Sequence, residues 1–191
     1  MIVSTSTGDP DAWWTNSARL SKIVARHEIT VWEDLMPDKK PTHEQGQLQL
    51  QLYDLRREAK LRQARDWFTQ NYFVDSFEDS QRIAPFGSQE GTYLFMVLGY
   101  WEQACSFLNH GLLNDQLFFE TSGEFFGVWD RVKPIVPKAR EMFKQKLFLA
   151  NLEKAAQRFE KWQKKVSPGS LEAMREWTKQ MRSEKTKKAS A

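Results

Sequence analysis

Signatures of catalysis and metal binding are what this chain of 191 residues has least of. It holds one cysteine, Cys105, and three histidines, His27, His43 and His110. A single Cys cannot close an intramolecular disulfide, so a reducing compartment fits. Its place in the apolar run Tyr100–Leu108 makes it a small buried hydrophobe. No His-x-x-x-His, Glu-x-x-His or paired-Cys spacing supplies a ligand set, and no metal or cofactor is expected. Gly-x-Ser-x-Gly and a glycine-rich phosphate loop are both missing, so nucleophile-elbow and P-loop chemistries have no motif to rest on. The longest apolar run, Tyr93–Trp101, falls far short of the roughly 20 residues a membrane helix needs. Met1–Pro10 is Ser/Thr-rich and has neither the basic nor the apolar region of a secretory signal. By elimination, the expectation is a cytoplasmic protein of bacterial type that does not cross a membrane.

Large rings, by contrast, are abundant: 13 Phe and 8 Trp. Charge is unevenly spread. Residues 1–153 carry 17 Lys and Arg against 21 Asp and Glu, whereas residues 154–191 carry 11 against 4. A basic terminus attracts phosphates, anionic lipid or acidic protein surfaces, although a lysine-rich terminal helix is most often a solvated face.

Periodicity and capping signals predict helices almost throughout. Asp9-Pro10-Asp11 opens a first helix that buries Trp14, Leu20 and Val24, with Trp13 on its other side. Ile29–Leu35 reads as helix or short strand, and Pro37–Pro41 as a linker. Thr42-His-Glu-Gln45 is a capping box. Leu48, Leu50 and Leu52 alternate as in a strand, but Leu48, Leu52, Leu55 and Ala59 recur at helical spacing. One long helix from 43 to about 70 is expected, with residues 46–53 as a strand the competing reading. A short helix or a bent continuation spans 71–82. Ser88 caps a helix over 88–110 that is apolar nearly all round, as the centre of a fold is. Gly99 within it implies a close helix crossing, and Gly111 a C-terminal cap. Asn114 starts a short helix, and Thr121-Ser-Gly-Glu124 is a second capping box. One long segment follows from Pro137, carrying Ala139, Phe143 and Leu147, then Phe148, Leu152, Ala155, Phe159 and Trp162. Val166–Ser170 turns the chain into a last helix with Leu171, Met174, Trp177 and Met181. The fold class is all-α: an irregular helical bundle with a C-terminal hairpin. Residues 1–191 read as one helical domain, with 147–188 as a basic antiparallel hairpin.

Few polar residues stand out. Glu102, inside the apolar helix, needs a partner, and Arg140 is the candidate for an interhelix ion pair. His110, at that helix's C-terminus, interacts with the helix dipole and could face Asp115 in a ligand contact, though no ligand spacing supports a metal. Asp75, Glu78 and Asp79 read as a solvated surface. Lys161, Lys164 and Lys165 are the candidate anion-binding group. No recognition helix, zinc finger or RNA-binding sheet pattern accompanies them, which places nucleic acid low.

Gly99-Tyr-Trp-Glu102, Gly111-Leu-Leu113, Trp129, Arg140 and Asn151-Leu-Glu153 together resemble a helical bacterial group, the domain of unknown function 4760 family. The resemblance spans roughly residues 50–160. It implies no reaction, and it marks Glu102, Arg140 and Glu153 as the polar positions to inspect. Some of the group look membrane-tethered at the N-terminus, which is not expected here.

The leading functional expectation is a non-catalytic protein–protein interaction or scaffolding protein, with self-association into a homo-oligomer as one form, since Trp and Phe are enriched at interface hot spots. A basic helical module binding nucleic acid or another anionic surface ranks second. An enzyme with a polar pocket near Glu102 ranks third.

Overall fold

The computed structural model describes residues 40–189, all of whose regular structure is helical. The expected first helix, the Ile29–Leu35 segment and most of the Pro37–Pro41 linker lie outside the described residues. Nine helices follow in order: α1 His43–Arg56, α2 Ala59–Asn71, α3 Phe77–Ile83, α4 Gln89–Asn109, α5 Asp115–Thr121, α6 Glu124–Val132, α7 Val136–Met142, α8 Ala150–Val166 and α9 Ser170–Ala189. The architecture is the all-α bundle with a C-terminal hairpin that the sequence predicts.

α4 forms the centre. Tyr93, Leu94, Val97, Leu98, Trp101, Ala104, Cys105 and Leu108 are all buried, and α4 packs against α2 on one side and α8 on another. Ser88 starts it by accepting the Gly91 N–H at 3.0 Å. Gly111, at φ +75°, takes the left-handed turn that follows it. The close helix crossing expected at Gly99 does not occur; the tight backbone contact in α4 is at Gly91, against the loop before the helix. A Cβ on Gly91 would lie 2.3 Å from the Pro85 carbonyl oxygen, whereas one on exposed Gly99 would meet nothing within 4 Å.

Among the described residues, seven Phe and Trp101 are buried in the core. Phe118, Phe119, Phe125, Phe126, Phe159 and Trp162 interlock between α5, α6 and α8, with ring centroids 5.3–6.4 Å apart. Aromatic pairs at these separations add to the burial of their area.

Several boundaries differ from the sequence reading. Residues 46–53 are helix, capped by the reciprocal Thr42–Gln45 hydrogen bonds. The single helix over 43–70 is broken at Arg57–Glu58. The Glu58 carboxylate starts α2 anew by accepting the Lys60 and Leu61 N–H groups at 3.0 and 2.7 Å. The Thr121–Glu124 capping box does not form. Thr121 donates back to the Leu117 carbonyl, and Glu124 turns to Arg65 at 2.6 and 2.5 Å. The long segment from Pro137 is interrupted by Lys144 and Leu149, both left-handed at φ +53° and +54°. That interruption leaves Phe143 and Leu147 37% and 80% exposed, off the continuous helix on which their spacing placed them.

Ser167–Gly169 closes the α8–α9 turn, with Gly169 at φ +86°. Leu171 and Met174 pack inward while Trp177 is exposed. Beyond the turn, α9 is fixed by its cations. Arg175 donates to Asp130 at 2.8 Å, Arg182 to Asp75 at 2.8 and 2.5 Å, and Lys185 to Asn71 at 2.9 Å.

Candidate functional site

The polar residues singled out in the sequence gather along the α4–α8 seam, but in pairings other than those expected. Glu102 does not meet Arg140. Its two oxygens accept the N–H groups of Asn151 (3.1 Å) and Leu152 (2.8 Å), and the Asn151 amide at 2.9 Å. A carboxylate on α4 therefore caps the N-terminus of α8, whose first N–H groups lack intrahelical acceptors. The left-handed Leu149 that begins α8 carries no capping side chain of its own, so the cap comes from the neighbouring helix. Arg140 pairs with Glu153 at 2.7 Å and donates to the Phe148 carbonyl at 3.0 Å, holding the 143–149 excursion against α8.

Further along the seam, Asn109 donates to the Asn151 carbonyl at 3.0 Å and accepts from Arg158 at 3.1 Å. Arg158 also pairs with Asp115. Asp115 thus faces an arginine, and exposed His110 ends α4 as its C-cap. Among the described residues no group of three or more His, Cys, Asp or Glu is placed to hold a metal ion. Cys105 is fully buried, and burial pushes its thiol well above the usual range, which leaves little nucleophilic thiolate.

Lys161, Lys164 and Lys165 are exposed near the end of α8. Lys164 faces Glu160 at 3.3 Å. The arginines of the basic hairpin are engaged internally. Burial works to raise the Asp130 carboxyl, but hydrogen bonds from Arg175 and Lys133 outweigh it and hold Asp130 below its ordinary value. Arg182 lowers Asp75 in the same way. Of the acidic cluster read as a solvated surface, Asp75 pairs with Arg182 of α9 while its side chain stays 69% exposed, and Asp79 pairs with Arg82 of its own helix.

Two of the concavities that adjoin α4 bear on these residues. One, about 510 Å³, lies beside Glu102 and is walled by Phe95, Leu98, Leu147 and Phe148. The other, about 690 Å³, lies between α1, α4 and α5 and includes Gln49, Tyr53, Trp101 and Phe118 in its wall. Next to the first is an aromatic surface that the sequence reading did not single out. Phe86 contacts Phe95 at 5.5 Å and Phe143 at 5.7 Å between ring centroids, and Phe143 reaches Phe77 at 6.2 Å. These three outer rings are 58%, 45% and 37% exposed, and Leu147 beside the concavity is 80% exposed. Phe95 was hidden in a helix that is apolar on every side. Phe143 and Leu147 were hidden by an interval of four from Ala139 that reads as continuous helix. The only cue was the Pro85-Phe86-Gly87 turn, which puts a large ring where a loop residue is normally polar.

A family model for a domain of unknown function (DUF4760) matches residues 41–162. The chain belongs to this family. The match begins at the α1 cap and ends within α8, so the DUF4760 region contains α4, the Glu102 cap and the exposed rings, while α9 lies beyond it. Nothing among curated proteins or solved structures matches the chain. Among the described residues no helix is long and apolar enough to cross a membrane.

Proposed function

We propose that this DUF4760 protein is a non-catalytic interaction protein that self-associates through the face formed by Phe86, Phe95, Phe143 and Leu147. The observation that carries the reading is the contact among three phenylalanines that each remain more than a third exposed. Contiguous apolar surface of this kind is rare on a monomer and marks association sites. Burying the exposed remainder of each ring contributes about 1 kcal/mol, and the cluster's centre is the kind of aromatic anchor that dominates interfaces. The rim suits a second copy. Exposed Glu141, paired with Lys138 at 3.1 Å, lies beside exposed Lys144 and Lys146, so the rim carries both signs of charge, as a self-complementary two-fold surface requires.

The Glu102 carboxylate is committed to a helix end, which weighs against an acid–base role. The anionic-partner reading has less support because Arg175, Arg182 and Lys185 are spent on docking α9. A cytoplasmic setting belongs to the same reading, since a lone buried thiol suits a reducing compartment.

Sedimentation velocity tests the proposal on the full chain, wild type against Phe95→Glu and Leu147→Glu. The wild type is expected to sediment as a dimer or larger and both variants as monomers with unchanged circular dichroism. Identical sedimentation of all three would contradict it.

A further inference from the structure

The cavity between α1, α4 and α5 shares no lining residue with the aromatic face, so its role is separate from self-association. Its volume, about 690 Å³, falls in the range of small-molecule sites. Most of its surface is apolar. Gly46, Leu50 and Tyr53 follow one another at helical spacing along α1, and Leu117 and Phe118 of α5 belong to the same wall. Leu50 and Tyr53 are 59% and 48% exposed, so this apolar stripe of α1 has no covering partner among the described residues. The wall includes both ends of α1, His43 and Arg56, and a helix of 14 residues is about 20 Å long.

Charge in this wall is one-sided. No Asp or Glu lines the cavity, and Arg56 is its one permanently charged residue. The Arg56 side chain is only 20% exposed. Glu124 stands 3.6 Å from it, beyond hydrogen-bond distance, and both Glu124 oxygens already accept from Arg65 at 2.6 and 2.5 Å. Two arginines therefore share one carboxylate, and one positive charge is left over. Among the described residues the Arg56 guanidinium makes no hydrogen bond, yet it is not sealed from solvent: the side-chain nitrogens and oxygens that lack both surface and partner are on Gln49 and Trp101. A largely buried cation is ordinarily paired and hydrogen-bonded, and this one has five unused donors. It lies 5.1 Å from the centre of the Tyr53 ring, at the C-terminal end of the α1 stripe. Exposed Arg57, 5.8 Å from the same ring, adds to the positive field there.

We propose that this cavity binds a single-chain amphiphile with a carboxylate head, a medium- or long-chain fatty acid. The head oxygens accept from the Arg56 guanidinium, whose planar fork of donors matches a carboxylate. The hydrocarbon chain runs along the stripe of Gly46, Leu50 and Tyr53 and against Phe118, covering the apolar surface that the protein leaves open.

Isothermal titration calorimetry of the full chain with dodecanoate, octanoate and dodecyltrimethylammonium, each below its micelle concentration, tests this. Dodecanoate is expected to bind saturably and at least about tenfold more tightly than octanoate, because every buried methylene adds affinity. The ammonium, equal in chain length and opposite in charge, is expected to bind at least about tenfold more weakly than dodecanoate. Arg56→Gln removes a guanidinium that holds no hydrogen bond in the fold. It is expected to lower dodecanoate affinity at least about tenfold and to erase the preference over the ammonium. Leu50→Glu, at an exposed position of the stripe, should lower it as far with an unchanged circular dichroism spectrum. Phe95→Glu, on the aromatic face, should leave it unchanged, which separates this site from self-association. The proposal is overturned by a lack of saturable dodecanoate binding or by equal affinity for the two head charges. Binding that survives both Arg56→Gln and Leu50→Glu, or that is lost with Phe95→Glu, overturns it as well.

Discussion

Replacing Glu102 tests whether its carboxylate is a structural cap or a functional group. Three hydrogen bonds end on it, from the Asn151 N–H and amide and the Leu152 N–H, at 2.8–3.1 Å. Loss of a helix cap costs about 0.5–2 kcal/mol, and hydrogen bonds to a charged group are each worth about 1.5–3 kcal/mol before neighbours relax. These are not additive, and Glu102 is only half-buried. Glu102→Ala is therefore expected to cost about 2–3 kcal/mol, or roughly 4–12 °C in melting temperature for a chain of this size. Glu102→Gln keeps one acceptor oxygen but turns an NH2 group toward backbone donors, so about half that loss is expected. Thermal unfolding followed by circular dichroism measures both. Hydrogen exchange at Asn151 and Leu152 should quicken in the same order. Stability within about 0.5 kcal/mol of wild type for both variants, a change typical of featureless surface positions, would refute the capping argument.

Acid should loosen α9 before the rest of the bundle. Asp130 and Asp75 both lie below their ordinary values in the folded protein, so their docking of Arg175 and Arg182 is fully present above the unfolded carboxylate value of 3.8 and is lost as pH falls through the folded ones. Exchange of α9 amides against pH follows this, and an acid response that Asp75→Asn and Asp130→Asn do not alter would count against it. The two α4 glycines should respond with opposite sign. Gly91→Ala, clashing with the Pro85 carbonyl at 2.3 Å, is expected to lose at least about 2 kcal/mol in chemical denaturation. Gly99→Ala, in open space, should gain about 0.8–1 kcal/mol, so equal effects at the two positions would contradict the packing described.

The elements that were legible in the sequence are those whose signals are local. Thr42 and Ser88 cap the helices expected of them because an N-cap needs only its own next three residues. The α4 core was legible because no amphipathic reading fits a helix apolar on every side. What stayed hidden depends on partners distant in sequence. The α8 cap is supplied from 49 residues away by Glu102. Thr121 and Glu124 look like a capping box, but Gln49 and Arg65, 72 and 59 residues off, draw their polar groups elsewhere. Ala139, Phe143 and Leu147 recur at intervals of four, and only the left-handed Lys144 and Leu149 show that the helix this implies is broken. Helical spacing cannot report a break made by residues that otherwise favour helix. The candidate site was half visible: Glu102, Arg140 and Glu153 do meet one seam, whereas the exposed rings and the Gln49–Trp101 wall are products of tertiary placement.

Self-association through the aromatic face is most directly tested by crosslinking lysines in an equal mixture of unlabelled and nitrogen-15-labelled chains. Crosslinks that join one labelled and one unlabelled peptide arise only between copies. They are expected at Lys144 and Lys146, which flank the ring cluster. Their absence, or their concentration at Lys161, Lys164 and Lys165 instead, would contradict the account.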